Sequence, residues 1–225
     1  MRRSPMIRPL AATALSLVLV SAAAPAIARE KSVPADKVFV YLDRFLKVPA
    51  QERSRMRLGY VLRSDGKPLG GVKVVLVESN GATTPLPVGP DGEFDRLPTL
   101  AQLNSKARLV FDLPADKKFG VSMGPTPVLK LAQDYDAREL ALTVSESNAA
   151  MRKAAGPGLS LMVPKLPGIG FVGAQGGQIV YGDGRTEALP IVGGAPVFYP
   201  EAHKGAARVK LSRTPARVAF DDGKK

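Results

Sequence analysis

The chain has 225 residues, no cysteine, no tryptophan and one histidine, with a formal charge of +12 at pH 7. That composition excludes a disulfide scaffold and the usual Cys/His zinc or copper sites, and an aromatic content of 6% argues against a sugar-stacking cleft. The length and the 45% of hydrophobic residues allow one large or two small cores, while the positive balance favours anionic partners.

Arg2, Arg3 and Arg8 lead into an apolar stretch, Leu10 to Val20, followed by Ala26-Ile27-Ala28. A basic start, a short apolar centre and small residues are the three parts of a cleavable export signal, so a cut is expected between Ala28 and Arg29. The apolar run falls short of the about 20 residues that span a bilayer, which disfavours an anchor. Ser4-Pro5 stands where a twin-arginine signal carries a hydrophobic pair, which favours the general route. Cleavage would leave 197 residues (225 − 28) with a charge of +9 (12 − 3), since the three arginines leave and no acid does. The expected place is the periplasm or the exterior, with no transmembrane segment left. The anionic partners to expect there are lipid head groups, glycans or cell-wall polymers, or another envelope protein, rather than nucleic acid.

Beyond the signal, Asp36 is placed to cap a short amphipathic helix over Lys37 to Leu46, with Val38, Tyr41, Leu42 and Phe45 at helical spacing; a strand is the rival, because Val-Phe-Val-Tyr is rich in β-formers. Leu58, Tyr60 and Leu62 alternate as a strand that Ser64-Asp65-Gly66 closes. Val72, Val74 and Leu76 form the next strand, and Asn80-Gly81 supplies the positive φ angles of a hairpin toward Thr83, Leu86 and Val88. Pro90-Asp91-Gly92 is a second turn. Thr99 to Asn104 reads as one helical turn, and Arg108 to Leu113 as a strand that Phe119 to Met123 pairs with. Val128 to Leu131 and Leu140 to Val144 read as short strands, and Ser147 to Ala155 as a helix stopped by Gly156-Pro157-Gly158. Gln178 to Tyr181 is a strand ending in a glycine turn, and Arg208 to Leu211 with Arg217 to Phe220 are read as the closing pair.

The stretch Gly66 to Leu97, G-x-P-L-x-G-V-x-V-x-L followed by a hairpin and D-G-x-F, resembles the prealbumin-like β-sandwiches known as carboxypeptidase regulatory-like domains. The resemblance covers about a third of one such domain. It implies a sandwich with an accessory, non-catalytic role and brings no functional residues with it.

An internal repeat extends this reading to the second half. Asn80-Gly81-Ala82-Thr83-Thr84-Pro85-Leu86-Pro87-Val88 recurs as Asp183-Gly184-Arg185-Thr186-Glu187-Ala188-Leu189-Pro190-Ile191, at an offset of 103 (183 − 80). Lys106 to Phe111 likewise resembles Ala206 to Leu211. Short hairpins reuse the same turn residues, so coincidence stays open beside duplication. The expected fold is mainly β, two tandem Ig-like or prealbumin-like β-sandwich domains with short helices where the chain enters each. The expected boundaries are a signal over 1–28, a linker and short helix over 29–56, a first sandwich over 57–131, a connecting segment over 132–157, a second sandwich over 158–221 and a tail over 222–225.

Little reaction chemistry is legible. Asp134, Asp136 and Glu139 have part of a calcium-loop spacing but lack its glycine, and Asp91, Glu93 and Asp95 read as a polar strand face beside a turn. His203 is read as a surface loop residue, and no serine stands in a nucleophile elbow. Gly168-Ile169-Gly170-Phe171-Val172-Gly173 matches a phosphate-binding loop in letters only and is read as loop chemistry. No metal or other cofactor is expected. The basic candidates are Arg208, Lys210, Arg213 and Arg217, either an anion-binding face or charges that guard an edge strand. The expected function is a non-catalytic binding or structural module of the envelope. Its alternatives are a carboxylate-dependent hydrolase with a cleft between the domains, and a chaperone that works by strand addition.

Overall fold

The computed structural model describes residues 31–114 and 116–223. The expected signal over 1–28 with its cut between Ala28 and Arg29, and Lys224-Lys225, lie outside the described residues.

The first half runs β1 (Lys31–Pro34), α1 (Ala35–Val38), α2 (Leu42–Lys47), a 3-10 turn (Ala50–Arg53), β2 (Met56–Ser64), β3 (Lys67–Pro68), β4 (Val74–Val77), β5 (Thr83–Pro85), α3 (Leu100–Asn104), β6 (Arg108–Phe111) and β7 (Gly120–Pro127). The second runs β8 (Asp134–Asp136), α4 (Ala137–Ala155), a 3-10 turn (Ser160–Met162), β9 (Gly168–Val172), β10 (Gly177–Tyr181), β11 (Thr186–Ala188), β12 (Ile191–Val192), β13 (Ala195–Phe198), β14 (Ala206–Leu211) and β15 (Arg217–Asp221). The protein is mainly β. Its four sheets have the orders β1-β6-β4-β5, β3-β2-β7, β11-β10-β14-β8 and β12-β13-β9-β15, and every pairing is antiparallel.

The alternation read from the sequence sets which faces are buried. Leu58, Tyr60 and Leu62 of β2 pack against Val74 and Leu76 of β4 and Leu109 and Phe111 of β6 in one core. Ile169 and Phe171 of β9, Ile179 of β10 and Val209 and Leu211 of β14 form another. In each half a four-stranded sheet therefore shares its interior with a second sheet. The local turns form as read: Asp65 (φ 51°) and Gly66 (φ 76°) join β2 to β3, and Gly81 (φ 85°) joins β4 to β5. Thr99 caps α3 in a reciprocal box with Gln102, which satisfies two otherwise orphaned amides.

The same strand order appears in both halves, since β1-β6-β4-β5 corresponds to β8-β14-β10-β11. Leu76 faces Leu109 across β4 and β6, and Ile179 faces Val209 across β10 and β14. The amide of Leu86 donates to Val74 O, and that of Leu189 to Gly177 O, both at 2.9 Å and 103 residues apart (189 − 86, 177 − 74).

Several expectations are corrected. Lys31 to Pro34 is a strand on β6, where a linker was expected. Asp36 does not cap a helix: it lies inside α1, after Pro34 at the cap position. The expected helix over Lys37 to Leu46 is broken in two by Tyr41 in the left-handed region, which lets Phe39, Leu42 and Phe45 all reach the core. Phe119 to Met123 pairs with β2, not with β6, because the chain crosses from one sheet to the other after Leu113. The presumed closing pair, β14 and β15, likewise lies in two sheets. Val128 to Leu131 joins no sheet. Gly168 to Val172 is the buried strand β9, not a loop. A Cβ at Gly168 would come within 2.5 Å of Phe198 O, so that glycine serves close packing.

The largest correction is α4. Leu140 to Val144, expected as a strand, is helical within the 19 residues of Ala137–Ala155. Asp136 Oδ1 accepts from the amides of Arg138 and Glu139 and opens the helix, and Gly156 (φ 79°) ends it. The first part of the helix buries Ala137, Leu140 and Val144 in the second core, and its last part buries Ala150 in the first. Arg55 donates to Glu139 (2.7 Å) and Glu146 (2.9 Å), and Lys153 to Glu52 (2.6 Å), which holds α4 along the segment leading into β2.

Between the two apolar contacts lie buried Thr143, Ser147 and Asn148. Thr143 donates to Glu139 O, whereas Ser147 Oγ has no hydrogen-bond partner among the described residues. Asn148 donates to Leu166 O and accepts from Leu166 N, both at 2.9 Å. Replacing Asn148 by Leu orphans both groups, and a urea titration should show a loss of about 2–4 kcal/mol. Ser147→Ala removes an unpaired hydroxyl, so the same titration should show a gain of about 1 kcal/mol.

Tyr60, whose hydroxyl donates to Val40 O at 2.7 Å, is fully buried. Burial, and to a lesser extent the Asp43 carboxylate, raises its pKa well above the ordinary phenol range. The neutral form is the one the fold favours, so the stabilisation is complete below the unfolded value of about 10 and is lost as the pH rises above it. Between about pH 9 and pH 11, the unfolding free energy of Tyr60→Phe should fall less than that of the parent.

Candidate functional site

A cavity follows one face of α4. It is an open groove of about 510 Å³, walled by α4, the strap Lys165-Leu166-Pro167 and the turn Pro200 to Lys204. Arg138 and Arg152 mark its helical wall 14 residues apart (152 − 138), which is about 21 Å along a helix axis. Leu142, Ser145 and Asn148 fall between them on the same stripe.

Each wall has a local cause. Pro164 and Pro167 keep the strap extended, and Asn148 ties both backbone groups of Leu166 to the helix. The opposite turn begins where Tyr199 O accepts from the amides of Ala202 and His203, and it ends at Gly205 (φ 83°). His203 holds this turn in place. Its ring stacks on Phe198 at 5.9 Å, and Nδ1 lies 3.5 Å from the Tyr181 hydroxyl and 3.6 Å from Glu187 Oε2. The side chain is only 10% exposed, which corrects its reading as a surface residue. Phe198 supplies the apolar face and the β10–β11 hairpin the polar partners. The neighbouring Lys204 is left to face the groove.

The groove is strongly one-signed. Arg138, Arg152, Lys165 and Lys204 line it, opposed by Glu201 alone. Among the described residues none of these four cations is in an ion pair, whereas Arg55, Arg57, Lys153 and Arg208 all are. Its floor is apolar, built from Ala141, Leu142, Val144 and Leu166. Such a surface suits a ligand with an anionic head and an aliphatic or neutral body.

The four basic residues singled out from sequence are not brought together. Arg208 and Lys210 do share the exposed face of β14, with Val209 and Leu211 buried on the other. However, Asp134 stands opposite Lys210 and Asp136 opposite Arg208 on β8, and Arg208 bonds to Asp134 at 3.0 Å. Arg213 donates to Gly173 O in a turn. Arg217 is on β15, beside a smaller cavity of about 280 Å³ that also exposes the Arg57–Glu93 pair and the edge of β7.

The acids considered for calcium are committed elsewhere. Asp136 caps α4, Glu139 holds Arg55, Asp134 holds Arg208, Glu93 holds Arg57, and Asp91 accepts from its own turn at Glu93 N. Among the described residues no group of three His, Asp or Glu side chains is placed to hold a metal ion.

None of the groove cations is among the four basic candidates read from sequence. Arg138 and Arg152 were not joined because α4 was divided into a strand and a shorter helix, and Lys165 because only packing brings its strap against that helix. The available signal was Asp136-Ala137-Arg138-Glu139, an acidic cap followed three residues later by Glu, ahead of Leu140 and Val144 at i, i+4 spacing. Comparison with protein-family models, with characterised proteins and with solved structures finds no match to this chain.

Proposed function

We propose that this chain is a non-catalytic, exported module of the cell envelope that holds an anionic component in the groove along α4. The observation that carries the reading is the convergence of four unpaired cations from three separate segments on one apolar-floored groove. Cations placed only for solubility have no reason to converge on one concave, apolar-floored surface. Export is supported by the basic, apolar and small-residue blocks of residues 1–28. No described helix is long and apolar enough to cross a membrane.

The architecture belongs to the same proposal. Two related sandwich units, each akin to the prealbumin-like type, are supported by the shared strand order and by the paired hydrogen bonds 103 residues apart. The hydrolase alternative draws less support, because the groove contains one carboxylate where that chemistry needs two. Strand addition is also less favoured: the edge strands β5 and β11 have three residues each, and the longer edge strand β7 carries Pro125 and Pro127, which blunt it as a template.

The test is salt-dependent retention on immobilised dextran sulfate. The parent protein should bind, and the triple variant Arg152→Glu, Lys165→Glu, Lys204→Glu should elute at clearly lower salt, with affinity reduced at least about tenfold. Arg208→Glu with Lys210→Glu, a change on the face opposed by Asp134 and Asp136, should alter retention by less than about twofold. Equal losses in the two variants would show net charge, not the groove, to be the determinant.

A further inference from the structure

The turn that leads from α4 to the strap carries large apolar side chains with nothing covering them. Leu161 is 97% exposed, Met162 77% and Leu159 44%, within Gly156-Pro157-Gly158-Leu159-Ser160-Leu161-Met162-Val163-Pro164. Surface apolar residues are ordinary when single, but three within four positions form a projecting cluster. The turn is a defined structure. Leu159 N and Ser160 N donate to Gly156 O, Met162 N donates to Leu159 O, and the Ser160 hydroxyl donates to Pro157 O. A tip whose backbone is bonded within itself can leave water without stranding those amides.

Its setting supplies the second observation. The apolar tip lies in the chain between Arg152 and Lys165, two of the unpaired groove cations, and Lys204 lines the same groove. Apolar side chains bracketed by cations match the interface of an anionic bilayer, where acyl chains lie just beneath phosphates. A soluble polyanion would satisfy the cations and leave the tip in water. We infer that this protein docks on an anionic phospholipid surface, with Leu159, Leu161 and Met162 inserted at the headgroup boundary and Arg152, Lys165 and Lys204 on lipid phosphates. This rests on the anion-binding reading of the groove and names its partner.

The absence of tryptophan makes the test site-specific, because Leu161→Trp places a single indole at the tip. Vesicles of equal parts phosphatidylglycerol and phosphatidylcholine should shift its emission to the blue, and pure phosphatidylcholine vesicles should not. The charge-neutral change Leu161→Gln with Met162→Gln should lower co-sedimentation with the anionic vesicles at least about tenfold while leaving dextran sulfate retention unchanged. Thermal melts of these variants should match the parent, since the side chains replaced pack in neither core.

An unshifted tryptophan beside intact dextran sulfate retention overturns the membrane inference and leaves the groove as a site for soluble anions. Loss of dextran sulfate retention in the parent removes the groove reading itself. Equal blue shifts on both vesicle types, or a shift without vesicles that grows with protein concentration, also overturn the inference, the latter in favour of a second copy of this chain on the tip.

Discussion

The double burial of α4 is the constraint on which the rest of this molecule depends. Leu140 is fully buried in one core and Ala150 in the other, so one rigid helix has to satisfy two interiors at once. A helix repeats every 3.6 residues, and only a limited stripe of each turn can face a given core. Between the two contacts the stripe passes Thr143, Ser147 and Asn148, where polar side chains replace aliphatic packing. The ion pairs from Glu52 and Arg55 run along the helix where it leaves one core for the other. At 27–55% exposure they contribute modestly to stability, and their main effect is to fix the rotation of α4.

That rotation creates the groove. With Leu140 and Val144 turned inward and Asn148 engaged with Leu166, Arg138 and Arg152 face the strap and the His203 turn. The same packing accounts for their lack of ion-pair partners among the described residues. The acids of α4, Glu139 and Glu146, both point toward Arg55, and Asp136 is used as the cap. Positive charge is thus separated from negative charge across the width of one helix.

The two halves reuse one arrangement of strands and differ in the segments that wall the groove. Where the first half follows β1 with the short helices α1 and α2, the second follows β8 with the 19 residues of α4. Where the first half places Gln102 against Thr84 and Glu78, the second places His203 against Glu187 and Tyr181. In both cases the short helical turn before the last strand of the four-stranded sheet is tied to the same hairpin. In the second half that turn carries a cation, Lys204, into the groove.

What the residues alone determine here is local. Asn80-Gly81 and Asp65-Gly66 dictate their turns because positive φ angles are cheap only for those side chains. Thr99 and Gln102 announce α3 through a cap closed within four residues. Leu58, Tyr60 and Leu62 declare a buried strand face because side chains alternate whatever the partner strand is. The positive charge is likewise a matter of counting. What only the tertiary structure decides is every choice between equivalent partners. That β7 lies on β2 and not on β6, that Leu140 to Val144 coils where its β-branched and leucine residues permit a strand, and that Arg208 meets Asp134 while Arg152 meets no acid among the described residues depend on packing energies summed over distant segments. A window of neighbouring residues does not contain those energies.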